Sequence, residues 1–204
     1  MLDHVFTDVI GALRDAFEAA FLERQPFEER FQSDVISGDL TWETSYGLPG
    51  EGEPPRIVAH ITFDWPAWSQ AAYRRWYVED ELGQQPAIEI EIVLRVQRLR
   101  VPVDADRIYT TVPEHSTDVG SDRLERAGLT TEISHPNPND PLDLNPEYAV
   151  EITYEGEYEL AEETVADGRS TLLDDHFGSL SGWIAATLVK LGDLDLDFLP
   201  PDDD

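Results

Sequence analysis

The 204-residue sequence carries 43 Asp and Glu residues against 14 Lys and Arg, a formal net charge of −29, and Lys190 is its only lysine. This length is enough for one domain with a substantial core. The apolar fraction of 41%, with five Trp, excludes a disordered acidic polymer. Because nucleic-acid backbones and anionic membranes attract cationic surfaces, the charge excludes general binding to either. The absence of Cys excludes disulfides, thiolate metal sites and a cysteine nucleophile.

A folded, acidic and nearly lysine-free chain is typical of salt-accumulating cells, such as halophilic archaea, and of their viruses. In multimolar salt the Debye length falls to roughly 3 Å or less, which screens the self-repulsion of the carboxylates. We therefore expect K⁺ and Na⁺ as non-specific counter-ions. The N-terminus lacks the positive charge of a signal peptide, and no run of 18 apolar residues occurs. These features predict a cytoplasmic protein or a virion component.

The first predicted element is a helix over residues 2–21, because apolar residues recur there every three or four positions. Its wide apolar stripe includes Phe6, Leu13 and Phe17. Two interpretations of this stripe are open. It faces the core of the chain itself, as most such stripes do, or it also contacts a neighbouring subunit.

Alternating apolar residues next predict two strands, at 35–46 and 56–65, joined by a Gly- and Pro-rich loop at 47–55. Pro66 suits the first position of a helix that extends to about Leu82 and ends at Gly83.

This second predicted helix concentrates aromatic residues beside two arginines. Trp68, Trp76 and Tyr77 lie near Arg75 in the sequence, close to Trp65 and Tyr73. A core corner where a strand turns into a helix would account for them. Stacking on bases or sugars is a second reading. A protein interface is the third, because Trp, Tyr and Arg are the residues enriched at its energetic centre. The interface interpretation makes Trp68, Arg75, Trp76 and Tyr77 contact candidates, together with Phe6, Leu13 and Phe17.

The second half of the chain predicts mostly strands. The alternation of strand 87–99 changes phase at Leu99, which indicates a β-bulge or bend. Further strands are predicted at 108–112, 129–133 and 147–160, and a C-terminal helix at 171–191. The sequence thus predicts a single α+β domain over 1–204. Its mostly antiparallel sheet of about six strands is packed by the N-terminal and C-terminal helices and one inserted helix. Irregular loops are expected at 47–55, 113–127 and 135–146, and an acidic tail at 200–204.

No residue pattern predicts a catalytic, cofactor or metal site. Gly178-Ser179-Leu180-Ser181-Gly182 lacks serine in the third position that a nucleophile elbow requires. The acidic run 193–197 has Phe198 where a calcium loop requires glycine, and a short strand with one wet face explains it better. The most site-like group is His60, Thr62 and Asp64, which alternation places on one strand face. A solvated sheet face explains the same spacing.

The opening residues Met1-Leu2-Asp3-His4-Val5-Phe6-Thr7-Asp8-Val9-Ile10-Gly11-Ala12-Leu13 resemble the first helix of tail-completion proteins of tailed viruses. Those proteins form rings on an α+β fold, join head to tail or cap the tail tube, and have no catalytic activity. The resemblance implies a non-enzymatic structural or assembly protein of a virion, acting through protein–protein interfaces as a homo-oligomer or part of a larger assembly. The alternative is a small-molecule-binding or hydrolytic domain with a cleft near His60 and Asp64.

The net charge predicts that the fold requires salt. At about 20 mM salt the Debye length is about 20 Å, so the uncompensated carboxylates repel one another across the molecule, whereas molar KCl screens that repulsion. Circular dichroism should show loss of structure on dialysis to low salt and recovery when KCl is added. An unchanged melting temperature between the two conditions would contradict the salt-adapted interpretation.

Overall fold

The computed structural model describes residues 4–21, 28–48, 54–79, 81, 83–134, 146–161, 164 and 171–200. Within these residues the chain forms four helices and seven strands. In chain order they are α1 (His4–Phe21), β1 (Glu28–Ser33), β2 (Leu40–Gly47), β3 (Ile57–Trp65), α2 (Ala67–Glu79), β4 (Ala87–Leu99), α3 (Ala105–Thr111), β5 (His115–Val119), β6 (Asp122–Ser134), β7 (Glu147–Glu159) and α4 (Thr171–Gly192).

The strands form one antiparallel sheet in the order β1-β2-β3-β4-β7-β6-β5. The first four strands are neighbours along the chain, and β5, β6 and β7 form a meander that returns to place β7 beside β4. The predicted α+β class is confirmed, with seven strands in place of about six. The predicted loop residues 49–53 and 135–145, and the tail beyond 200, lie outside the described residues.

The core lies between one face of the sheet and the two long helices. On the α1 side, Phe6 lies 5.5 Å from Trp65, and Phe17 stacks on Tyr46 at 4.0 Å between ring centroids. On the α4 side, Phe177 contacts both Phe63 and Tyr158. The sheet and both helices therefore share one apolar core.

The apolar stripe of α1 belongs to this core. Phe6, Leu13 and Phe17 are completely buried within the chain itself. Their proposed role as contacts with a neighbouring subunit is therefore corrected, because none of the three side chains has surface left to offer a partner. The core-facing interpretation of this stripe is the one that the structure supports.

The N-terminal edge of the sheet differs from the prediction. Residues 35–37 form a turn, in which the Asp34 carboxylate accepts hydrogen bonds from the backbone N–H groups of Ile36 and Ser37. Ile36 is 97% exposed, and the strand begins only at Leu40. Strand β1 was not predicted because all six of its residues are exposed and mostly polar, so it carries no apolar alternation.

The segment 105–127 also differs from the prediction. Residues 108–112 were expected to be a strand but belong mostly to α3, whose N-terminus is capped by Asp104 through the Asp106 backbone N–H. Ile108 and Val112 are four residues apart, so the same spacing suits one side of a helix. The predicted connection 113–127 instead contains β5 and the start of β6, which turn at Gly120 with φ +70°.

The phase change at the end of β4 is a β-bulge, as predicted. The pairing with β7 shifts register between Val96 and Leu99, and Arg98 adopts a positive φ of 60°. Its backbone carbonyl accepts a hydrogen bond from the Leu199 N–H, and Leu99 forms an isolated bridge with Phe198. The C-terminal segment is thereby attached to the end of β4, although it does not form the short strand expected at 193–197.

A close approach between β6 and β7 depends on Gly156. A Cβ at this position would lie 2.7 Å from Leu124 Cδ2 and 3.3 Å from Leu124 Cα. We expect Gly156→Ala to lower the free energy of unfolding by about 1–3 kcal/mol, because the neighbouring strand must shift to admit the methyl group. Chemical denaturation in molar KCl measures the change. Gly128→Ala on β6 is the matched control, since a Cβ there meets nothing within 4 Å. Equal effects of the two substitutions would contradict this account.

Candidate functional site

The face of the sheet opposite α1 and α4 is called the polar face below, and its centre is a cluster of carboxylates. In one row across the sheet, Glu89 lies directly opposite both Asp64 and Glu157. In the next row, Glu91 lies opposite Glu155, which in turn faces Glu125 on β6. A shallow groove of about 430 Å³ runs between these side chains.

Electrostatic repulsion is built into these rows. Like charges directly opposite each other on paired strands destabilise a sheet. Partial burial raises the pKa of Glu91, and the Glu155 carboxylate adds to this effect. Burial, with Glu157 next in importance, raises the pKa of Glu89 in the same way. The cluster therefore attracts cations, although no group of three or more His, Asp or Glu among the described residues is arranged to hold a metal ion.

The predicted trio of His60, Thr62 and Asp64 lies on this polar face, but its members do not converge on one cleft. Asp64 borders the acidic groove, and Thr41 Oγ1 donates a hydrogen bond to its carboxylate. His60 borders a separate groove of about 220 Å³. The two residues are four positions apart, which is about 13 Å along a strand.

His60 has a partner that the sequence did not indicate. Its Nδ1 lies 2.7 Å from Ser45 Oγ, directly opposite on β2. Burial, with the charge of Arg95 next, lowers the pKa of His60, so the imidazole is neutral at pH 7. The pairing depends on the register of a hairpin with a long loop, and that register cannot be read from alternation alone.

A serine bonded to a neutral histidine is the arrangement of an activated nucleophile. Two features argue against acyl transfer here. Ser45 is only 5% exposed, which leaves little access for a substrate. Both residues also lie within paired strands, where backbone N–H groups bind the neighbouring strand and not a developing oxyanion. The pair is therefore better suited to joining β2 to β3 or to contacting a bound ligand than to hydrolysis.

The aromatic residues around α2 divide between the core and the surface. Trp65 and Tyr73 are buried, and Trp76 is partly buried against the core. Trp65 Nε1 donates to Ser69 Oγ at 3.0 Å, and Ser69 Oγ donates to the Ala87 carbonyl at 2.6 Å. These bonds fix the start of α2 between β3 and β4. The core-corner interpretation therefore holds for this part of the group.

The remaining aromatic side chains form the surface of α2. Trp68 is 41% exposed and Tyr77 is 56% exposed. Helical spacing places Trp68 and Arg75 on one flank, and Arg74 and Tyr77 on the other. Neither Arg74 nor Arg75 forms an ion pair with another residue in the described part of the chain. We call the exposed residues Trp68, Arg74, Arg75 and Tyr77 the α2 surface.

Comparisons with protein-family models, with curated proteins and with solved structures find no match for this chain. None of the described helices is both long enough and apolar enough to cross a membrane.

The acidic rows predict a stabilising substitution. The fold raises the pKa of Glu91 above its ordinary value of 4.5, so the native state binds a proton more readily than the unfolded chain. Stability therefore falls as pH rises through the interval between the two pKa values, and the penalty is complete above it. Glu91→Gln should raise the free energy of unfolding at pH 7 by about 0.5 kcal/mol. Thermal unfolding at the lowest KCl concentration that keeps the protein folded is the measurement.

Glu159→Gln is the matched control for this substitution. It also removes one carboxylate from the polar face, but Glu159 lies opposite Ala87 and not opposite another acid. The advantage of Glu91→Gln over this control should disappear below pH 4 and shrink in multimolar KCl. A gain that is equal for both variants would mean that only the net charge of the protein matters.

Proposed function

We propose that this chain is a non-enzymatic assembly protein of a salt-accumulating archaeon or its virus, and that the α2 surface is the contact that builds the assembly. The observation that carries the proposal is the exposure of Trp68 and Tyr77 beside two arginines without an ion-pair partner among the described residues. Trp, Tyr and Arg are the residue types enriched at the energetic centres of protein interfaces.

Charge complementarity supports the polar face of another copy as the partner. Arg74 and Arg75 place two guanidinium groups on the α2 surface of a protein of net charge −29. The polar face supplies opposed carboxylates whose mutual repulsion a guanidinium group would relieve. A contact between two different surfaces of the same chain is heterologous and generates a ring where the rotation closes. The resemblance of residues 1–13 to tail-completion proteins supports a place for such a ring in a virion, as a tail-completion, head–tail joining or tail protein.

The proposal predicts that two substitutions on one flank of α2 weaken the assembly. Trp68→Ala should lower the affinity between subunits about thirtyfold, because truncation of an aromatic anchor commonly costs about 2 kcal/mol. Arg75→Glu should weaken it as well, by placing an acid against the acidic polar face, although salt reduces this effect. Light scattering in molar KCl gives the mass of the wild type and of each folded variant.

Two controls separate contact from folding. Phe31→Ala removes an aromatic side chain of similar exposure, 43%, from β1. Arg100→Glu makes the same charge change just beyond β4, at the end of the sheet away from α2. Both controls should keep the wild-type mass. Trp76 is unsuitable for the test, because its packing against the core makes truncation a folding defect. Equal masses for the wild type, Trp68→Ala and Arg75→Glu would contradict the proposal.

A second candidate function is the binding of a small molecule beside His60. The Ser45–His60 contact at 2.7 Å and the groove beside it favour this reading. The same light-scattering series distinguishes the candidates. The wild type would then remain monomeric and would bind or turn over a small substrate, and His60→Ala would abolish this activity. That result would favour small-molecule binding over the assembly function.

A further inference from the structure

The exposed face of α4 differs from that of α1 in its lack of charged residues. The fourteen residues from His176 to Val189 contain no Asp, Glu, Lys or Arg, although charged residues make up 28% of the chain. The side chains that this stretch exposes are small or apolar: Ser179, Gly182, Ala186 and Val189. The neighbouring helix α1, by contrast, carries Asp8, Asp15 and Glu18 on its exposed side. Between Asp175 and Lys190, the exposed face of this helix therefore carries no charged side chain.

The fold of a single chain does not explain Gly182. Gly178, one turn earlier, lies against the Ala16 side chain of α1, so its size serves the packing of the two helices. A Cβ at Gly182 would meet nothing within 4 Å. Glycine inside a helix costs about 1 kcal/mol relative to alanine. The close approach of another molecule to Gly182 would explain why a glycine is present there despite this cost.

The charges at the two ends of this face are complementary under a two-fold rotation. Asp175 lies at the start of the uncharged stretch, and Lys190, the only lysine, lies at its end. Both are exposed, and neither forms an ion pair with another described residue. If two copies of α4 run antiparallel with their centres between positions 182 and 183, each Asp175 lies level with the Lys190 of the other copy. The same alignment sets Ser179 level with Ala186, and Gly182 level with the much larger Trp183.

We infer that a second copy of this chain covers the exposed face of α4, in an antiparallel helix pair centred on Gly182. The missing side chain at Gly182 lets the two helices approach closely, and two symmetry-related Asp175–Lys190 pairs fix the antiparallel direction. The inference rests on the proposed assembly function in one respect, that the chain works with copies of itself. It adds a second contact that is separate from the α2 surface.

The decisive substitution stabilises the monomer and breaks the pair. Gly182→Gln adds a good helix former where the single chain has open space, so the folded chain should not lose stability. The same side chain would hold two α4 helices apart and should weaken self-association at least tenfold. Sedimentation in molar KCl measures association, and chemical denaturation measures stability. Gly11→Gln on α1 is the matched control, because a Cβ there also meets nothing within 4 Å, and it should keep the wild-type association. Unchanged association of Gly182→Gln would overturn the inference.

The direction of the pair can be tested by cross-linking, since the chain has no cysteine of its own. Antiparallel packing brings position 179 of one copy level with position 186 of the other. The double variant Ser179→Cys with Ala186→Cys should therefore form a disulfide-linked dimer on mild oxidation. Each single cysteine is displaced from its own symmetry mate by about 10 Å along the helix axis and should not cross-link. Efficient cross-linking of either single variant would show a parallel pair and overturn the inference.

Failure of this inference can be told from failure of the proposed function. If Trp68→Ala lowers the mass of the assembly and Gly182→Gln does not, the α4 contact is contradicted and the contact through the α2 surface stands. If the wild type is a dimer that becomes monomeric with Gly182→Gln and stays dimeric with Trp68→Ala, the contact through the α2 surface is contradicted and the α4 contact stands. A monomeric wild type would overturn both.

Discussion

The difference between the two faces of the sheet is the constraint on which the rest of the molecule depends. Alternate residues of β3, β4 and β7 are buried beneath α1 and α4, and this burial is the main favourable contribution to folding. Because strand residues alternate, every apolar residue placed on the core side forces its neighbours onto the polar face. The chain fills many of those positions with carboxylates. The opposed acids of β4 and β7 are thus a direct consequence of a long, well-paired central sheet in a very acidic sequence.

The same constraint decides what the polar face can do. Its acids lie on paired strands that hold their backbones at a fixed spacing, and counter-ions or a positively charged partner would reduce the remaining repulsion between the carboxylates. The backbone groups of Ser45 and His60 lie in the ladder between β2 and β3, so their geometry follows from the pairing of these two strands. The residues free to anchor a partner lie elsewhere, on helices, where exposed side chains are not tied to the spacing of a ladder.

The sequence predicts the elements that carry strong periodicity and misses those that do not. The alternation of β4 and its change of phase at Leu99 predict both the strand and its bulge. One inserted residue shifts the apolar residues from even-numbered to odd-numbered positions. All six residues of strand β1 are exposed, so this strand leaves no such signal. Ile108 and Val112 fit either a helix or a strand, and only tertiary packing decides. For the site, alternation places His60 on the polar face, but the Ser45 partner depends on a pairing register that the sequence does not specify.

The two proposed contacts have different symmetries, and together they restrict the assembly. A pair of α4 helices related by a two-fold axis is isologous, so it uses up its surface in a dimer and cannot extend further. A contact from the α2 surface to the polar face of the next copy is heterologous and extends around a ring. If both form, the smallest closed assembly is a pair of rings joined through α4, with two-fold axes perpendicular to the ring axis. That assembly has an even number of subunits and two equivalent ends. A junction between two different structures would instead need the α4 face of a single ring to remain free for another protein. The symmetry of the assembly therefore decides whether this chain can join unlike partners or only associates with copies of itself.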